Sequence, residues 1–218
     1  NGAAGNRFVQ FVSEPGAGKS AVLREIAERY GAEGPLFVLK NDRIHPRGWP
    51  AHAANLHVSG NLDAIISGFA AAGNPVLFID GIDRVTDPAA QVTVNDILRA
   101  ITDSSTAAAW LVVVTVREQN LRHLETWLDR EAIEKLGVRS ITVNPLSAGE
   151  KTVIADAVPR LGPLFRDGST MEVLLSRPFF LEAILRLSPA SGELPASEAE
   201  LLDLWWELGG SYDAVFAA

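Results

Sequence analysis

Residues 7–27, RFVQFVSEPGAGKSAVLREIA, read in three parts: a short apolar strand, a glycine-rich turn and the start of an amphipathic helix. Val22, Leu23, Ile26, Ala27 and Tyr30 recur at helical spacing, and Gly31 is a natural stop. The turn is one letter from the pattern G-x-x-x-x-G-K-[ST], with Ser13 in place of the first glycine. In that pattern, backbone N–H groups at a helix N-terminus curl around a phosphate. The lysine reaches the outer phosphates and the hydroxyl ligates Mg²⁺. Gly16 and Gly18 give the backbone its close approach, and Lys19 and Ser20 take the two chemical roles. The first glycine eases a tight turn but contributes no atom to the phosphate, so serine is tolerable there at negative φ. A strand-to-helix turn that happens to contain a lysine is the competing reading, and the rest of the chain decides between them.

Working outward, strand and helix patterns alternate. PLFVLK (35–40), VLFID (76–80), WLVVVTV (110–116) and RSITV (139–143) are further strand candidates. VLFID is continuously apolar, as a strand buried on both faces would be, and WLVVVTV suits a central strand. Helical patterns cover 61–73, 89–102 and 119–136, while 41–60 reads as an irregular connection. This alternation predicts an α/β fold with a five-stranded parallel sheet and helices on both faces. After Asn144 the strands stop. Capping boxes at SAGE (147–150) and SEAE (197–200) open helical stretches. The expected division is a nucleotide-binding domain over 1–145, a small helical, lid-like domain over 146–196, and a truncated beginning of a third over 197–218.

Composition sets the outer limits. The 218 residues are 47% hydrophobic and 21% charged, ordinary for a chain with a sizeable core. A net charge of −8 with scattered basic residues argues against a broad nucleic-acid surface. The absence of cysteine excludes disulfides and thiolate metal sites and suits a reducing compartment, so the cytoplasm is expected. The apolar runs are too short to span a bilayer, and no signal peptide is visible. The start lacks Met and enters a strand almost at once, which reads as a piece of a longer protein.

Two further segments carry candidate chemistry. An apolar strand ending at Asp80 fits the acidic group that holds Mg²⁺, and Asp83 sits where a carboxylate would orient or deprotonate an attacking water. A cap after a strand is the plainer account of both. The fourth strand candidate leads into Thr115 and Arg117, at the end where α/β sheets bind ligands. Arg117 there would sense a terminal phosphate, unless the strand simply emerges into solvent. His45, His52 and His57 share one stretch without carboxylates at ligand spacing, so ordinary histidines are expected. Trp205 and Trp206, among leucines, read as a helix packed on a neighbour.

Together these residues resemble the STAND class of P-loop NTPases, the signal-transducing ATPases that include the NACHT and NB-ARC groups. PGAGKS matches the first motif, LFIDGID the D-G-x-D form of the Mg²⁺ motif, and VVVTVRE the strand whose arginine senses the γ-phosphate. VNPLSAGE resembles the entry to the helical domain, SRPFFLEAIL its G-x-P segment, and AELLDLWWELGG the approach to a winged-helix domain. The resemblance implies an ASCE-type P-loop fold. It also implies ATP/ADP and Mg²⁺ as cofactors, with ATP favoured over GTP because no N-K-x-D motif is present. Pro15, Gly16, Ala17, Gly18, Lys19, Ser20 and Ala21 would cradle the phosphates, with Pro178 near the adenine. Ser20 and Asp80 would hold the metal. Lys19, Asp80, Asp83 and Arg117 would carry slow hydrolysis. ADP would keep the domains closed, and ATP would permit homo-oligomerisation once a sensor domain engages its trigger. Sensor and effector lie outside this stretch. Arg84 stands where NACHT proteins often have Glu, and Ser176–Arg177 replaces the small pair before the proline. An AAA-type loader or remodelling ATPase and a degenerate nucleotide-binding scaffold are the alternatives.

Overall fold

The computed structural model describes residues 5–165, 170–187, 194–195 and 197–207. The chain forms two compact units, one of residues 1–14 and 19–143 and the other of residues 15–18 and 144–218.

In the first unit the elements run β1 (Phe8–Ser13), α1 (Lys19–Tyr30), β2 (Leu36–Lys40), α2 (Trp49–Asn55), α3 (Leu62–Ala72) and β3 (Val76–Asp80). They continue with α4 (Pro88–Asp103), β4 (Leu111–Arg117), α5 (Leu121–Trp127), α6 (Arg130–Leu136) and β5 (Val138–Thr142). The five strands pair in the order β2-β3-β4-β1-β5, all parallel, which is the α/β sheet expected. β4 therefore lies between the glycine-loop strand and the strand ending in Asp80.

Period-two alternation explains the layers. Phe8, Val12, Leu77, Ile79, Val112, Val114 and Val116 face one side, where Ile66, Val94, Ile97, Leu98, Leu124 and Leu136 cover them. Phe11, Phe78 and Val113 face the other, against Leu23 and its neighbours on α1. Each fully buried aliphatic side chain contributes about 2 kcal/mol on removal from water. The unbroken apolar runs of β3 and β4 are thus the signature of strands packed on both faces.

Two local departures have identifiable causes. The helical stretch expected over 119–136 is broken into α5 and α6 by Leu128 and Asp129. The Asp129 carboxylate caps α6 by accepting from Ala132 N at 2.9 Å. Asn95 fixes the break, donating to Trp127 O at 2.8 Å and accepting from Asp129 N at 2.9 Å. The connection over 41–60 contains α2, whose Trp49 and His52 are buried in the core. Gly48 starts α2 at φ +82, and its N–H donates to Thr93 Oγ1.

The second unit is helical: α7 (Ala148–Ala157), α8 (Thr170–Leu175), α9 (Pro178–Leu187) and α10 (Glu198–Glu207). Ser147 and Glu150 form the capping box on α7. Ser197 Oγ accepts from Glu200 N at the start of α10. Leu161, Met171, Leu175, Leu181, Ile184 and Leu201 make the core. Trp206 corrects an expectation: it is 76% exposed, because the packed stripe of α10 runs through Leu201 and Leu204. The side chain of Trp205, and residues 208–218 of the winged-helix-like segment expected over 197–218, lie outside the described residues.

Candidate nucleotide site

The carboxyl ends of β1, β3 and β4 converge, and the polar side chains that follow each strand meet there. The register sets Ser13 beside Arg117 across the β1–β4 pair. Lys19, the first residue of α1, turns back on the strand it came from. Its ammonium donates to Ser13 O at 3.0 Å, Ser13 Oγ at 2.8 Å and Glu14 O at 2.9 Å. Burial holds the Lys19 pKa below its ordinary 10.5. Asp83 and Asp80 work against that shift, and the charges of Arg117 and Arg84 add to it.

Ser20, one residue on, lies 3.1 Å from each carboxylate oxygen of Asp80. Asp80 Oδ1 also accepts from Thr115 Oγ1 at 2.6 Å, and that hydroxyl accepts from Gly81 N at 2.7 Å. Thr115 thus joins β4 to β3 and fixes the Asp80 carboxylate. Gly81 turns the chain at φ +68, ψ +44, a conformation that favours glycine. A Cβ there would stand 3.2 Å from Asn41 Oδ1.

Asp83 does not face open water. Its side chain is 2% exposed, and Oδ2 accepts from Arg117 Nε and Asn120 Nδ2, each at 2.7 Å. A buried carboxylate needs such partners, since an unpaired charge in a low-dielectric interior is costly. Asn120 was not legible as a site residue. The only signal for it is a polar side chain three positions after Arg117 at the sheet's carboxyl edge. Arg84 is exposed.

The glycine turn, residues 15–18, belongs to the second unit. Gly16 and Gly18 take φ +81 and +88. Gly16 O accepts from Phe179 N at 3.2 Å. A Cβ on Gly18 would stand 3.4 Å from Pro178 Cγ, so the turn and the start of α9 fit without side chains between them. Ala17 is buried, whereas Pro15, Ser20 and Ala21 are exposed.

These residues suit a nucleotide with Mg²⁺. Ser20 and Asp80 offer the hard oxygen donors the ion prefers. Ser20 and Asp80 would hold the ion with few protein ligands, as Mg²⁺ is commonly held. Among the described residues no three His, Asp or Glu side chains group as a metal site, and no helix is long and apolar enough to cross a membrane.

No curated protein matches the chain. A profile of the ATPase family associated with various cellular activities (AAA) matches residues 9–135, more than half of the sequence, from β1 through α6. The chain belongs to this AAA family and is a P-loop, nucleotide-binding ATPase.

Proposed function

We propose that the chain is the ATP/ADP-binding switch module of a larger STAND-type signalling ATPase, in which slow Mg²⁺-dependent hydrolysis controls homo-oligomerisation, in a setting such as immunity or conflict defence. The observation that carries this reading is the ion pair between Arg117 and the buried Asp83 at the carboxyl edge of the sheet. It joins the residue suited to sense a γ-phosphate to the carboxylate suited to place water.

Lys19 would meet the outer phosphates, and Pro15 to Ala21 would frame them, with Pro178 toward the base. Ser20 and Asp80 would hold Mg²⁺, which supplies charge neutralisation for the phosphates when bound. Arg117 turning from Asp83 to the γ-phosphate would free that carboxylate to place the attacking water. ADP offers Arg117 no such partner, and this difference is what a switch requires. Arg84, where NACHT proteins often carry Glu, fits slow turnover.

A remodelling AAA ATPase is the second reading, and the family match does not set it above the first. Such enzymes usually carry Glu directly after the Mg²⁺ Asp, and here that residue is Gly81. Titration of MgATP and MgADP into wild type and Lys19→Ala tests the site. Both nucleotides should bind wild type, and Lys19→Ala should bind at least about 10-fold more weakly, the loss expected for a charged hydrogen bond. Equal binding by the variant would remove Lys19 from the site.

A further inference from the structure

The serine that replaces the first glycine of the loop is the group that most directly engages its lysine. An ammonium has three hydrogens to donate. Those of Lys19 are matched by Ser13 O, Ser13 Oγ and Glu14 O, at 3.0, 2.8 and 2.9 Å. The proton count closes. Ser13 Oγ–H donates to Glu14 O at 3.0 Å, which leaves the oxygen's lone pairs for Lys19. Ser13 is 4% exposed, so water competes poorly for that oxygen. A glycine would leave Lys19 only the two carbonyls, and those exist whatever residue stands at this position.

We infer that Ser13 is a tether that holds Lys19 in a self-satisfied resting position, so that nucleotide phosphates must displace an internal hydrogen bond to bind. The inference rests on the phosphate-binding role of Lys19 proposed above. A ligand whose site is competent only part of the time binds with an affinity reduced by that fraction. ADP and ATP both need Lys19, so the tether weakens both alike and leaves their ratio unchanged. Ser13 is thus a positioning residue that sets the nucleotide concentration at which the module fills, separate from the discrimination assigned to Arg117.

Ser13→Ala removes the hydroxyl and keeps the extended backbone, while Ser13→Thr keeps the hydroxyl. Two measurements on the protein test the tether. The first, without nucleotide, is the rate of Lys19 acetylation by limiting acetic anhydride, read by peptide mass spectrometry. The second is titration with MgADP and MgATP. For Ser13→Ala, acetylation should quicken at least about 2-fold and both dissociation constants should fall about 3- to 10-fold, since charge-assisted bonds are the strong ones but two carbonyl partners remain. Ser13→Thr should behave as wild type in both. Unchanged acetylation in Ser13→Ala overturns the tether whatever the titration shows. Faster acetylation with unchanged affinity also overturns it, because the contact would not then compete with phosphate. In that case Lys19→Ala separates the two failures. Weaker binding by Lys19→Ala leaves the nucleotide site standing, and equal binding means that Lys19 does not hold phosphate at all.

Discussion

His52 shows how a single side chain can be committed to one protonation state by the chain around it. It is 2% exposed, and its Nδ1 accepts from the backbone N–H of His45 at 3.1 Å. The neutral ring must therefore carry its proton on Nε2, which is buried with no partner among the described residues. Protonating Nδ1 would set one N–H against another. Burial, followed by the charge of His45, accordingly lowers the pKa below the ordinary 6.5. The unfolded chain takes up a proton below about pH 6.5 that the fold excludes, so stability is lost as pH falls from there toward the folded-state pKa. Wild type should lose up to about 1.4 kcal/mol per pH unit in this window. His52→Asn, whose Oδ1 can accept from His45 N–H, should lack this contribution. Urea denaturation of both proteins between pH 7.5 and 5.5 measures the difference, and parallel pH profiles would refute the assignment.

At the scale of elements, the break between α5 and α6 marks where sequence reading stops. Apolar periodicity runs through 119–136 as though one helix continued, because the pattern records which faces are buried and not where the backbone turns. Asp129 makes the turn with three contacts at once: the cap on Ala132, the backbone bond to Asn95, and a 2.5 Å pair with the exposed Arg99. The Ala132 N–H bond, then the Arg99 contact, lowers the Asp129 pKa. The cap should matter more than the ion pair, since Arg99 is largely in water and exposed pairs are worth little. Asp129→Ala should cost about 1–2 kcal/mol, and Asp129→Asn, which keeps the accepting oxygen, only about 0.5 kcal/mol. Denaturant midpoints at pH 7 check this, and equal losses would show that charge rather than capping holds the break. The strands, by contrast, were legible almost to the residue. VLFI and WLVVV are apolar without interruption, short and rich in β-branched residues, as strands covered on both faces are.

For the whole molecule, legibility divides by range. The positions of Lys19, Asp80 and Arg117 at the sheet's carboxyl edge were readable because each ends a strand or begins a helix, with Ser20 one residue on. Asn120 and the Thr115 link were not, because the sheet order brings them to Asp83 and Asp80 from more than thirty positions away. That long-range pairing also bears on the switch proposed above. A ligand shifts a conformational equilibrium only by the difference in its affinity for the two states. Of the groups meeting at this edge, Arg117 is the one whose partner would change with the γ-phosphate, exchanging Asp83 for an oxyanion. Full-length protein should therefore form a larger species in MgATP than in MgADP by mass photometry. Arg117→Gln, which can still hydrogen-bond Asp83, should bind ADP within about 2-fold of wild type, since its truncated contact is one ADP does not make. The same variant should show no ATP-dependent gain in mass. A hexamer of equal mass in both nucleotides would instead favour the remodelling ATPase, and a gain in mass that survives Arg117→Gln would move the sensing role to another residue.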